Sequence, residues 1–265
     1  MSEKFGANTT DAREHRTFTI RSTRLDACYR HRSDKLIVFI HGLGSSQQAF
    51  TRMWHAEPLQ SYSILTFDLP GFGASAKSKN LSYGLEELAD ISKFIIDSFD
   101  AKTIHLAGHS MGGAIAVLLS NQLRRQHTLA NIEGNLIPHC CSTFSRSTSE
   151  MSEADFCDVG MIRLREIIAP FPPDCFNIDA TLPEAFHRCA TSMVQLCDSG
   201  RLLNLFLEQS VPKRYFQGSK NSDSPLLQLL PEELVTMISR SGHFPMLDNP
   251  DGFAEALAQF LSQDG

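Results

Sequence analysis

The sequence predicts an α/β fold: a mostly parallel sheet flanked by helices, with an all-helical segment inserted after the sixth strand. Three observations point there. Short unbroken apolar runs recur at 36–40 (LIVFI), 63–67 (SILTF) and 103–107 (TIHLA), which is how strands covered on both faces read. Helical patterns lie between them, as crossover connections of a parallel sheet require. From about 138 to 205 the strand signals stop.

Taken in order, residues 17–30 (TFTIRSTRLDACYR) alternate apolar and polar side chains, the mark of a half-exposed antiparallel pair. After the LIVFI and SILTF strands, LEELADISKFIIDSF places Leu85, Leu88, Ile91, Ile95 and Phe99 on one helical face. The TIHLA strand is followed by MGGAIAVLLSNQL, apolar nearly all round and so a buried helix. TLANIEGN (128–135) reads as the sixth strand. Between 138 and 205, Pro138, Pro170, Pro172, Pro173 and Pro183 punctuate short helical pieces such as VGMIRLREII and EAFHRCATSMVQLC. Alternation resumes with KRYFQG (213–218) and LVTMIS (234–239), then a last helix with Phe253, Ala256, Leu257, Phe260 and Leu261 on one face. The expected organisation is a core domain made of 1–137 and 206–265, with 138–205 as a helical cap.

The chemistry is concentrated at Gly108-His109-Ser110-Met111-Gly112. This G-x-S-x-G follows a predicted strand and opens a predicted helix, the context that gives the pattern meaning. A serine on so tight a strand-to-helix corner adopts a strained backbone that lifts its hydroxyl clear of the sheet. Its neighbours two residues away must lack bulk because strand and helix nearly touch. The helix start directs free N–H groups at whatever sits beside Ser110, so the Met111 amide is placed to hold an oxyanion.

With these residues the chain resembles the α/β-hydrolase fold family, in its serine hydrolase, esterase-like branch with a helical cap. FIHGLGSS, Phe39 to Ser46, is similar to the family's H-G-x-G motif, where an amide after His-Gly completes the oxyanion hole; here that amide is Leu43. DLPGFGAS, Asp68 to Ser75, resembles the D-x-P-G-x-G-x-S loop, with a structural part expected for Asp68. An alcohol needs a base to take its proton, and histidine has the suitable pKa. His243, in SGHFPMLDNP between the last strand and the last helix, stands where the family's catalytic histidine does. His41 is expected to prop the oxyanion loop and His109 to form part of the wall. Together with Gly42 and Phe144, these two histidines are the candidate substrate-binding residues.

The third member, a carboxylate to orient the imidazole, departs from the commoner family pattern. That pattern puts an aspartate in a G-x-x-D loop after the seventh strand, and here the loop reads Gly218-Ser219-Lys220-Asn221. Asp223 lies two residues further on. Other relatives, the haloalkane dehalogenases among them, carry the acid at the end of the sixth strand, which here is Glu133. Glu133 is the expected acid and Asp223 the alternative.

A serine at the corner disfavours the halide- and epoxide-opening branches, which need a carboxylate nucleophile. The expected activity is therefore cleavage of an ester or related acyl substrate through an acyl-enzyme. C–C bond, thioester or lactone hydrolysis on the same parts is the alternative, and a second class of reading is a non-catalytic small-molecule receptor, toward which Asn221 points.

Composition supports these exclusions. The 265 residues carry 24 basic and 30 acidic side chains, a net charge near −6, with no basic run to follow nucleic acid or an anionic membrane. The N-terminus has no apolar stretch of signal-peptide kind and no run approaches a membrane span, so a soluble, cytoplasmic protein is expected. Of the seven cysteines, six fall between 140 and 197 without the paired close spacing of a zinc site. They are expected to be free thiols. No metal or cofactor is expected, the partner is a small acyl substrate, and the sequence leaves the oligomeric state open.

Overall fold

The computed structural model describes residues 13–141 and 144–262. One eight-stranded sheet runs in the order β1-β2-β4-β3-β5-β6-β7-β8. Strands β1 (Glu14–Ile20) and β2 (Thr23–Arg30) form the antiparallel pair that the alternating pattern predicts. Arg21 and Ser22, both at positive φ (46° and 65°), make their two-residue turn, whose backbone twist matches that of the flanking strands. β2 also runs antiparallel to β4 (Ser63–Phe67), and from β4 onward every pairing is parallel, through β3 (Lys35–Ile40), β5 (Thr103–His109), β6 (His127–Ile132), β7 (Lys213–Gly218) and β8 (Val235–Ile238).

The apolar runs are unbroken because each strand feeds two layers. Along β3, Leu36, Val38 and Ile40 enter one core cluster, while Ile37 and Phe39 enter the other, the two-residue alternation of a pleated strand. The first layer is closed by α1 (Leu85–Asp97) and α2 (Met111–Ser120). Helix α1 buries Leu85, Leu88, Ile91 and Ile95, as the pattern predicts, and every residue of α2 is buried.

Between β6 and β7 the described residues form helices and turns only. These are α3 (Ser145–Ser149), α4 (Glu153–Asp155), a π-helical turn at Phe156–Gly160, α5 (Met161–Ile168), α6 (Pro183–Asp198) and α7 (Arg201–Glu208). Gly200, at φ 72°, turns the chain from α6 into α7. The boundary expected at 205 falls inside α7, which runs on to Glu208 and buries Leu202 and Phe206 in the same core cluster as α2. Backbone bonds join this insertion to the sheet's loops: Asn177 donates to the Gly44 carbonyl at 2.8 Å and Leu182 to that of Gly71 at 2.7 Å.

After β8 come the short α8 (Pro245–Asp248) and α9 (Pro250–Ser262). Phe253, Leu257, Phe260 and Leu261 of α9 close the second layer, with Ala256 at its edge. All seven cysteines are free thiols. Among the described residues no helix is long and apolar enough to cross a membrane, and no cluster of histidine, cysteine and acidic side chains could hold a metal ion.

Candidate active site

Ser110 sits between the last residue of β5 and the first of α2 with φ 52° and ψ −119°, a backbone strain that persists only where the surroundings over-determine it. The glycines on either side explain how. A Cβ on Gly108 would overlap the carbonyl of Gly112, and one on Gly112 would overlap the carbonyl of Ile40 at the end of β3. The Ser110 amide donates to the Ile132 carbonyl of β6 at 2.9 Å, so three strand ends fix the corner. As the first residue of α2, Met111 has an amide with no acceptor inside its own helix.

β6 ends one residue before Glu133, which also has a positive φ (49°). Its side chain is 7% exposed, and its carboxylate is heavily engaged. Oε1 accepts from Gln217 Nε2 at 2.7 Å and the Gly218 amide at 2.6 Å, both on β7. Asn221 Nδ2 donates to both oxygens, at 3.2 and 3.1 Å. Oε2 lies 3.4 Å from His243 Nδ1. A buried carboxylate is tolerable when its lone pairs are filled this way.

His243 stands in the turn after β8, its side chain 42% exposed. The turn is anchored twice: the Gly242 amide donates to Asp248 Oδ2 at 2.7 Å, and His109 Nε2 donates to the His243 carbonyl at 2.7 Å. The His109 ring, nearly fully buried, lies 4.9 Å from that of His243 and 4.8 Å from that of Phe244. Burial pushes the pKa of His109 well below the ordinary histidine value, so it is a neutral ring with its proton on Nε2.

The Ser110 hydroxyl donates to Asn135 Oδ1 at 3.2 Å, and Asn135 is held in turn by its Nδ2 donating to the Cys140 carbonyl at 2.6 Å. Among the described residues no hydrogen bond joins Ser110 to His243, although both line the same cavity of about 320 Å³. Gly42, Leu43 and His109 line it from the sheet side, and Phe144, Phe176 and Phe186 from the insertion. Two thiols also face it. Burial pushes the pKa of the Cys140 thiol up, whereas a hydrogen bond from Cys197 draws that of Cys141 down.

The profile described as the alpha/beta hydrolase family matches residues 37–256. The chain belongs to that family. Among its relatives, the 2-hydroxy-6-oxo-6-(2'-aminophenyl)hexa-2,4-dienoic acid hydrolase of Metapseudomonas resinovorans is 24% identical over 255 residues, covering 86% of this chain and 84% of that one. In the solved structure of a thermophilic esterase from Thermogutta terrifontis the fold superposes with a TM-score of 0.72 at 17% identity, over 95% of this chain and 98% of that one. A structure of the N-acyl homoserine lactonase AidH gives 0.73 at 18% identity, over 96% and 98%. At such identities the structures speak for the fold.

In this alpha/beta hydrolase the candidate residues do not all meet. Ser110, His243, Glu133, Leu43, Gly42, His109 and Phe144 converge on the cavity. Asp223 also lines it, but is exposed and takes part in no ion pair among the described residues. Asp68 is structural: its oxygens accept from the Gln47 amide at 2.7 Å and the Ala74 amide at 2.8 Å. His41 and Met111 are not among the residues that line the cavity. His41 is fully buried, its Nδ1 donating to the Gly42 carbonyl at 2.8 Å and its Nε2 accepting from the Leu69 amide at 3.0 Å, which ties the glycine loop to the loop carrying Asp68. Asn135 and Gln217 went unassigned in the sequence, and Asn221 read as a lost acid, whereas its side chain donates to Glu133.

Proposed function

We propose that the protein is a serine hydrolase that cleaves an ester or related acyl substrate through an acyl-enzyme. The observation that carries this reading is the strained corner holding Ser110 in one cavity with the His243–Glu133 pair. In the proposed cycle the Ser110 hydroxyl rotates from Asn135 to His243, which accepts its proton. Glu133, at Nδ1, selects the tautomer that leaves Nε2 free for this and stabilises the imidazolium that forms. The alkoxide attacks the carbonyl carbon, and the amides of Leu43 and Met111 receive the negative oxygen. His243 then passes its proton to the leaving alcohol, and water, deprotonated by the same imidazole, releases the acid. The separation of nucleophile and base is compatible with this, since such contacts often tighten only around substrate.

Residues 138–205 act in this reading as a cap, with Phe144, Phe176 and Phe186 setting the acyl or alcohol group the cavity accepts. Its volume suits a small or medium substrate. A relative is named as a hydrolase of a dienoic acid and a structural neighbour as a lactonase, so C–C bond and lactone hydrolysis are the alternatives on the same scaffold. The receptor reading loses its one support, because Asn221 is accounted for as a donor to Glu133.

A fluorophosphonate probe should label Ser110 stoichiometrically, with the label lost in Ser110→Ala, and p-nitrophenyl esters of short and medium acids should turn over. Labelling without turnover of any ester, thioester or lactone would return the receptor reading.

A further inference from the structure

Among the described residues, Glu133 and Asp223 line the cavity beside Ser110 together with His109, His139 and His243, and no lysine or arginine does. The hydrogen bonds that Glu133 accepts come from the neutral amides of Gln217, Gly218 and Asn221 and from the His243 ring. Neutral donors stabilise a carboxylate without cancelling its charge. Asp223 has no ion-pair partner among the described residues. The cations nearby in sequence are turned elsewhere: Arg146 makes a bidentate pair with Asp198 at 2.7 and 2.6 Å, and Lys220 is exposed and outside the lining. The rest of the wall mixes serines, amides, thiols and the histidines His109, His139 and His243 with a group of aromatic rings. The Phe176 ring stands 5.9 Å from that of Phe144 and 5.5 Å from that of Phe244, and such rings attract cations to their faces while offering an anion nothing.

We propose that this cavity ranks its substrates by charge, accepting best those whose non-reacting arm ends in a cation, then neutral ones, and rejecting carboxylates. The inference rests on the acyl-transfer reading for what reacts, but its physical basis is separate. An anionic arm leaves water to meet two like charges and, among the described residues, no lysine or arginine to pair with. A cationic arm meets Asp223 and the phenylalanine rings. The relative from Metapseudomonas resinovorans is named for a dienoic acid, and the carboxylate of such a substrate would find no lysine or arginine among the described residues of this lining.

The test uses three butyrate esters of matched length whose alcohols end in a trimethylammonium, a tert-butyl group or a carboxylate. Binding to Ser110→Ala protein is measured by calorimetry at about pH 8, where free histidine is neutral. Affinity should fall from the first ester to the last by roughly tenfold per step, the scale of one partly screened charge contact. Asp223→Asn in the same background should bring the ammonium and tert-butyl affinities together. Equal affinities for all three esters, a carboxylate bound tightest, or a charge order unchanged by Asp223→Asn overturns the proposal. Turnover by the wild-type enzyme is measured in parallel. An intact order of affinities with none of the three hydrolysed counts against the acyl-transfer reading and leaves the charge ranking standing.

Discussion

The sheet side of the cavity and the helical side are held in place by different means. At the ends of β3, β5 and β6 the backbone itself is the constraint: Gly108 and Gly112 have no room for a single carbon, and Ser110 and Glu133 occupy positive φ. In the insertion the constraint is side-chain packing. Phe156 stacks on Phe186 with centroids 5.4 Å apart, Phe176 meets Phe144, Phe171 and Phe244 edge to face, and Arg188 holds Glu153 at 2.6 Å. The insertion also exposes Val159, Ile162, Ile167 and Phe171. A backbone constraint tolerates almost no substitution, whereas a packed aromatic wall can be repacked. The proposed chemistry therefore stands on the side that cannot vary and the proposed selectivity on the side that can.

The largest effect should come from adding one methyl group to the rigid side. Gly112→Ala should destabilise the fold by about 4 kcal/mol or more, or prevent soluble expression, because the new carbon collides with the carbonyl of Ile40. Urea denaturation measures it, and a well-folded Gly112→Ala protein would show that the corner has slack.

Next is acid sensitivity, which also belongs to the sheet side. Burial lowers the pKa values of His41 and His109 and brings that of His105 down from 6.5 to about 4. The unfolded chain then binds protons that the folded chain refuses, so stability is intact above about pH 6.5 and is lost as the pH falls toward 4. His105 alone accounts for about 3 kcal/mol over that interval. Replacing it with glutamine should flatten the slope of stability against pH, as read by denaturation at a series of pH values.

A smaller effect is expected at the acid's support. Asn221→Ala removes the amide that donates to both oxygens of Glu133, and kcat should fall by about tenfold with little change in KM, the worth of one charge-assisted hydrogen bond. A change in KM alone would place Asn221 among substrate contacts. Smallest of all, Phe176→Leu on the helical side should change stability by less than about 1.5 kcal/mol, while shifting the preferred ester chain length.

The same division explains what was legible in the sequence. Backbone constraints write themselves as residue types: glycines two positions either side of Ser110 announce the corner, and unbroken apolar runs announce strands buried on both faces. Side-chain orientation leaves no such record. His41 follows a recognisable motif, but only the structure shows its ring spent on Gly42 and Leu69. The sequence favoured Glu133 but kept Asp223 as the alternative, because each is a short distance along the chain from a strand end and which one reaches His243 depends on how two loops bend. Asn135 and Gln217 act through partners distant in sequence.

The central claim is that Glu133 orients His243 for attack by Ser110, and paired substitutions test it most directly. Steady-state kinetics on a neutral ester should show kcat falling by about 10³- to 10⁴-fold in Glu133→Gln, with Asp223→Asn retaining far more of the rate. The reverse order, with Asp223→Asn the crippled enzyme and Glu133→Gln the active one, would contradict the account.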